Sequence, residues 1–217
     1  MQGRRLTHVL EVHRAQVGDE LCVGMLGGSI GVGKVTQLDA SVLEMEVRLE
    51  QAAPPKLPLT LILALPRPKV LKRVLRAASA MGVKRITLLN SFRVEKSFWQ
   101  SPVLSDECIR EQLIIGLEQA KDTVLPEVLL RPLFKPFVED ELPSLIKGAF
   151  SLVAHPNATA PCPRDIKKPA VLAIGPEGGF IPYEIEKFVS CGFMPMQIGE
   201  RILSVETAVP ALVSKLF

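Results

Sequence analysis

Past residue 55 the chain alternates short apolar runs with stretches of helical periodicity, and this alternation constrains its fold more than any other feature. Apolar, strand-like runs fall at residues 59–65, 85–89, 127–130, 150–154, 170–174 and 194–198. Helical spacing of apolar residues fills 69–81, 105–120, 138–147, 183–191 and 208–217. Strands separated by helices cross over and pair in parallel, which covers both faces of the sheet. The expected fold is therefore α/β with a mostly parallel sheet. One interval lacks a helix: residues 155–169 hold four prolines and read as a loop. Gly192 fits the position just after the helix that ends near Cys191. Pro210 lacks an N–H and is harmless only in a first turn, so the last helix is expected to begin near Thr207, its N-cap.

Residues 6–53 read as all-β, with strands at 20–24, 34–37 and 42–49 and turns at Gly27-Gly28 and Leu38-Asp39-Ala40. Ala53-Pro54-Pro55 reads as a linker, giving two domains, 1–54 and 55–217. Within the first, Gly28-Ser29-Ile30-Gly31-Val32-Gly33-Lys34 matches GxxxxGK, the start of a nucleotide-binding P-loop. Val35 stands where a hydroxyl should hold magnesium, and the residues beyond it are strand-like rather than helical. A glycine-rich hairpin is expected there, not an ATPase.

Composition excludes several classes. Met1-Gln2-Gly3-Arg4-Arg5 leads into no apolar signal core, and the longest apolar run, residues 57–65, is too short to cross a bilayer. A cytoplasmic protein without a membrane partner is expected. Cys22, Cys108, Cys162 and Cys191 are scattered without CxxC spacing, and His8, His13 and His155 lack metal-ligand spacing. Reduced thiols and no metal are expected. The net charge is only +3, but nine basic residues and one acid lie between positions 67 and 96. Lys69, Lys72, Arg73 and Arg76 recur at helical spacing opposite Val70, Val74, Leu75 and Ala78. The stripe is either a solvated helix face or a footprint for an RNA backbone. The acidic balance of the rest of the chain favours the footprint.

Two glycine-bearing loops carry the chemistry. Gly175-Pro176-Glu177-Gly178-Gly179-Phe180 follows one apolar run, and Ile198-Gly199-Glu200-Arg201-Ile202-Leu203 follows another. Glycine lets main chain approach a ligand closely, so the two loops suggest one small-molecule pocket built largely from backbone. Together with Glu206-Thr207-Ala208, they resemble the signature of the bacterial 16S ribosomal RNA uridine-N3 methyltransferases of the SPOUT superfamily. Weaker matches extend over most of the chain: His8 to Arg14 with Gly18-Asp19, Met81-Gly82-Val83, Glu118-Gln119, Pro126-Glu127 and His155-Pro156.

The resemblance implies a PUA-like, RNA-binding β-barrel in residues 1–54, truncated by a strand at its start, and a SPOUT domain with a trefoil knot in 55–217. It implies a homodimer that binds S-adenosylmethionine and acts on ribosomal RNA of the small subunit. The cofactor would lie among Ala154, His155 and Pro156; Gly175, Pro176, Glu177, Gly178 and Gly179; and Ile198, Gly199, Ile202 and Leu203. RNA contacts would come from His8, Arg14, Lys69, Lys72, Arg73, Arg76 and Arg93. Methyl transfer from a sulfonium is an in-line displacement in which positioning does most of the work. Uracil N3 must be unpaired and deprotonated before attack. Arg201 is the candidate to stabilise the uracil anion, and Glu206 or Glu177 to orient the base or take the proton. Structural alternatives stand beside these roles: an Arg201–Glu206 ion pair, and Glu177 fixing its own loop.

The chain departs from the family pattern at several polar positions. Ser204 and Asp122 stand where arginines are usual, the end of the first helix of the second domain loses its Gln, Lys and Glu, and Ile181 replaces an N-cap serine. The cofactor-loop glycines are kept. A relative that binds RNA with lost or redirected methylation is the second reading. A nucleotide-binding protein using residues 175–179 for phosphate is the third.

Overall fold

The computed structural model describes residues 1–217, which form two units: Met1–Pro54 with Lys121–Val124, and Pro55–Ala120 with Leu125–Phe217.

The first unit is built on an antiparallel sheet in the order β1 (Glu20–Gly24), β2 (Ile30–Leu38), β3 (Leu43–Gln51). The GxxxxGK segment is the β1–β2 hairpin and the start of β2. Its Gly28 closes the turn by donating to Met25 O at 2.8 Å, and Lys34 pairs across the sheet with Glu20 and Glu46. A Cβ on Gly31 would lie 1.8 Å from Arg48 O, at a bulge in the β2–β3 register. Sheet geometry, not a phosphate, explains that glycine. At the β2–β3 turn, Asp39 Oδ1 accepts from Ser41 N at 2.7 Å, Ser41 Oγ at 2.7 Å and Val42 N at 2.9 Å. These bonds, the Ser41 hydroxyl's foremost, hold the Asp39 carboxyl down to about 2.

The all-β reading fails at the start of the chain. Residues 4–13 are helical: α1 (Arg4–His8) runs into a π turn (Val9–His13) that ends at left-handed Arg14, φ 51°. Leu6 and Val9, three apart, bury one face against Val35 and Leu43, with Leu10 packed beside them. This periodicity of three to four competes with alternation over too short a stretch to be read alone. Lys121–Val124 belongs to this unit because Gly27 N donates to Thr123 O at 2.8 Å and Thr123 Oγ1 donates to Gly28 O at 2.5 Å.

The second unit has a six-stranded, all-parallel sheet. Its strands are β4 (Leu59–Ala64), β5 (Arg85–Leu89), β6 (Glu127–Arg131), β7 (Phe150–Ala154), β8 (Ala170–Ile174) and β9 (Met194–Met196), in the order β6-β5-β4-β8-β7-β9. Leu61, Ile62, Leu63 and Ala64 are all fully buried, as expected for a central strand covered on both faces. Helix α2 (Pro68–Ala80) packs on α3 (Asp106–Ala120), where Ser79 Oγ donates to Leu113 O at 2.8 Å. Gly192, φ 94°, ends α6 (Pro182–Ser190) as expected.

Two helical expectations need correction. The continuous helix over 138–147 is instead α4 (Phe134–Pro136), a π turn (Phe137–Glu141) and α5 (Leu142–Leu145). Pro136 and Pro143 each remove a donor, and the helical ladder shifts register between them. The last helix, α7 (Val205–Leu216), starts before Thr207 and carries Pro210 inside it, with Ser204 as its N-cap residue. A proline there costs about 3 kcal/mol. Burying Val205, Val209, Leu212, Val213 and Leu216 along one face returns roughly 1.5–3 kcal/mol per side chain, which outweighs it.

The proline-rich loop 155–169 laces over the end of the chain. Gln197 N donates to Ala160 O at 2.9 Å, Cys162 N to Gln197 O at 2.7 Å, and Ile166 N to Leu216 O at 2.7 Å. All four cysteines are free thiols, and burial pushes the Cys162 thiol's pKa up.

Candidate functional site

In an open parallel sheet, ligands bind beyond the carboxyl ends of the strands. Strands β7, β8 and β9 end at Ala154, Ile174 and Met196, and the loops that leave them enclose a pocket of about 670 Å³ including its mouth. The first loop is tied to the end of β9 by His155 N donating to Met196 O at 2.9 Å. The middle loop doubles back: Gly179, φ 71°, donates its N–H to Pro176 O at 2.7 Å. A Cβ on Gly175 would sit 2.9 Å from Phe180 N, so the bend excludes any side chain there.

Ala154, His155, Pro156, Gly175, Pro176, Glu177, Ile198, Gly199, Ile202 and Leu203 all line the pocket. Gly178 and Gly179, expected with them, do not. Gly178 O accepts from Arg93 Nη1, which anchors the back of the loop instead.

Sequence reasoning missed part of the lining. Ile174, Met196, Val205, Ala208 and Leu212 supply an apolar wall. The spacing of Val205, Ala208 and Leu212 marks one face of α7, a signal hidden by placing the helix start too late. Gln197 also lines the pocket, and its Oε1 is buried without a hydrogen-bond partner. A buried amide oxygen left unpaired costs about 1–3 kcal/mol, so it marks a place where a ligand donor is wanted. Its signal was available: it is the polar residue in the apolar run 194–198.

The candidate catalytic side chains separate. Arg201 is exposed on the third loop and lines the pocket. Glu206 lies outside the lining and pairs with Arg73 at 3.6 Å, so the alternative Arg201–Glu206 ion pair is replaced by an Arg73–Glu206 pair. Glu177 Oε1 accepts from Arg67 N at 3.0 Å, at the start of α2, where a carboxylate suits the helix dipole. Buried Glu184 reaches two backbone donors, Ile181 N at 2.9 Å and Phe92 N at 2.7 Å, so it supplies the capping that Ile181 cannot.

The basic stripe on α2 is less uniform than its spacing implied. Arg76 Nε donates to Gln112 Oε1 at 2.7 Å and Arg73 is paired with Glu206, whereas Lys69 is exposed and Lys72 half-buried without an ion pair. His8 is exposed on α1, and Arg14 ends the π turn. No group of three or more His, Cys, Asp or Glu side chains lies close enough to hold a metal ion.

Comparison with known proteins gives a family and a shared fold. The RNA methyltransferase domain profile matches residues 53–216. The ribosomal RNA small subunit methyltransferase E of Treponema pallidum (strain Nichols) is 27% identical over 212 residues, spanning 94% of this chain and 79% of its own. The protein of the same name from Synechocystis sp. (strain PCC 6803) is 26% identical, spanning 94% and 67%. Among solved structures, the ribosomal RNA small subunit methyltransferase E of Neisseria gonorrhoeae bound to S-adenosyl methionine shares the fold, with TM-score 0.73, 22% identity and coverage of 97% and 87%. A putative methyltransferase of Legionella pneumophila, in complex with the same cofactor, gives TM-score 0.71, 23% identity and coverage of 96% and 86%.

Proposed function

The chain belongs to the RNA methyltransferase domain family, and from that premise we propose that it methylates N3 of a uridine in 16S ribosomal RNA of the small subunit, using S-adenosylmethionine. The observation that carries this reading is the three-loop pocket at the carboxyl ends of β7, β8 and β9, with Gln197 Oε1 unpaired in its wall. The residues fit the cofactor: adenine carries an amino donor for an orphan acceptor, and an apolar wall from Ile174, Val205 and Leu212 suits a purine face. The loop from Ile198 to Leu203 would hold the adenine, and the loop from Gly175 the ribose and methionine parts. When bound, the cofactor supplies an electrophilic methyl group on a sulfonium.

The protein's own work is to place uracil N3 in line and to stabilise the anion left when its proton departs. Arg201, unpaired and lining the pocket, is the side chain for that charge. Glu177 and Glu206, each bound to α2, act by fixing the second loop and the start of α7 rather than as bases.

The remaining assignments follow the same reading. The first unit acts as the RNA-binding, PUA-like domain, with His8 and Arg14 on its surface. Lys69 and Lys72 carry the phosphate contacts of α2. The bonds from residues 160–166 to Gln197 and Leu216 support a trefoil knot in the second unit. Ile202, apolar and 81% exposed beside the pocket, supports a homodimer in which a second copy covers it. No helix is long and apolar enough to cross a membrane, which accords with a cytoplasmic enzyme.

A specific observation favours the second reading, an RNA-binding relative with lost or redirected methylation. Ser204 stands at an arginine position of the family pattern, and its Oγ lies 3.0 Å from Thr207 Oγ1 at the α7 cap, so that position carries a hydroxyl and no cation. Mass spectrometry of nucleosides in 16S RNA from a deletion strain decides between the readings. Loss of 3-methyluridine, restored by the wild-type chain but not by Arg201→Ala, supports the enzyme. Unchanged 3-methyluridine contradicts it.

A further inference from the structure

A second cavity, of about 1000 Å³ including its open mouth, opens beyond the carboxyl ends of β5 and β6, across β4 from the pocket described above. One segment walls both: Glu177 lines the first, while Ile181, Tyr183 and Glu184 line the second. Four observations give this cavity a chemistry. Its aromatic lining includes Phe92, which is 78% exposed, and Trp99, whose Nε1 donates to Asn90 Oδ1 at 2.9 Å and so holds the ring in one orientation. Lys96 and Lys135 lie on its rim, exposed and without ion pairs. The acid in its lining, Glu184, is buried with both oxygens committed to Phe92 N and Ile181 N, so the accessible charge is cationic. Finally, Ser91 lines the cavity, is 96% buried (relative exposure 4%), and has a hydroxyl with no partner.

Aromatic faces beside free lysines suit a base and its phosphate, and the orphan hydroxyl suits a polar base edge. We infer that this cavity is a second subsite that takes a nucleotide of single-stranded RNA, with its base against Phe92 and Trp99 and its phosphate against Lys96 and Lys135. The inference rests on the RNA methyltransferase reading and deepens it. The nearest strands beneath the two cavities, β5 and β8, are two strand spacings apart and the cavity centres three to four, roughly 10–17 Å at about 4.8 Å per strand. A few extended nucleotides span that distance, so the strand flanking a target base reaches the subsite while the target lies at the first pocket. Such a grip would hold the RNA open locally and read its flank, a function the cofactor pocket does not perform.

Trp99 is the chain's single tryptophan, so its fluorescence reports on this cavity directly. Titration of the full chain with hexauridylate is expected to quench Trp99. Lys96→Gln with Lys135→Gln is expected to weaken binding and to flatten the dependence of log Kd on log salt by about 1.4, the slope of two single-strand phosphate contacts. Phe92→Ala is expected to weaken binding about tenfold, the lower end of the range for one stacked base. Ser91→Ala should weaken it severalfold without lowering the melting temperature, because the hydroxyl has no partner to lose within the protein. Quenching that persists with unchanged salt slope in the lysine double variant and unchanged affinity in Phe92→Ala overturns the subsite. Equal displacement of hexauridylate by polyglutamate at matched charge also overturns it and reassigns the cavity to acidic peptides. S-adenosylmethionine binding, measured separately, distinguishes the failures. A chain that binds the cofactor but gives no Trp99 response loses the subsite and keeps the proposed function. A chain with the Trp99 response and no cofactor binding keeps the subsite and loses the proposed function.

Discussion

Gly31 and Gly33 in the first unit and Gly199 in the second are the same residue used for opposite reasons. In the first unit, Gly31 and Gly33 are walled in by protein: a Cβ would meet Arg48 O at 1.8 Å from Gly31 and Met45 Sδ at 2.2 Å from Gly33. In the second unit, Gly199 faces open space, with nothing within 4 Å of such a Cβ, and it lines the pocket. Crowding by its own sheet explains Gly31 and Gly33, crowding by its own bend explains Gly175, and room kept for something else explains Gly199. A glycine motif therefore means little until its neighbours are known.

This contrast is testable from its strongest consequence downward. Gly31→Ala forces a backbone shift at the β2–β3 bulge and is expected to destabilise the first unit by at least about 3 kcal/mol, the scale of severe overpacking. Denaturant unfolding should show an early transition, while S-adenosylmethionine affinity stays within twofold. A single late transition would mean that the bulge relaxes freely. Gly199→Val has the opposite signature: unfolding unchanged within about 0.5 kcal/mol, as for an open surface site, with cofactor affinity reduced at least tenfold. Unchanged affinity would move the ligand away from the third loop.

Gln197→Leu sharpens the same point. It removes an orphaned buried acceptor, so stability should hold or rise, while cofactor affinity falls about tenfold, the loss of roughly 1.4 kcal/mol. A drop in stability with no change in affinity would make Gln197 structural. The smallest effect concerns pH. Asp39 is held down to about 2, below its ordinary 3.8. Its contribution is therefore full above pH 4 and is lost as pH falls from about 4 towards 2. Asp39→Asn should shrink the acid sensitivity of the first unit in that window, and an unchanged acid profile would remove the Asp39 turn from the account.

Legibility in the sequence followed the length of the pattern. The strand runs of the second unit were readable because each is bounded by turn residues and separated by helical periods. Its order, β6-β5-β4-β8-β7-β9, was not, since pairing partners leave no mark on a strand buried on both faces. Helix α1 was missed because Leu6 and Val9 give a single turn of spacing, and the start of α7 because Pro210 argued locally for a later one. The pocket's backbone was legible from its glycines and from family resemblance. Its apolar wall was not, because Val205, Ala208 and Leu212 read equally well as ordinary core.

The most direct test of the central claim, that bare main chain at the ends of β7, β8 and β9 holds a methyl donor, is a crystal structure of the chain grown with S-adenosylmethionine. The account predicts the ligand enclosed by residues 154–156, 175–177 and 198–203, with a donor on Gln197 Oε1. A ligand bound elsewhere, or those loops enclosing only solvent at saturating ligand, would contradict it.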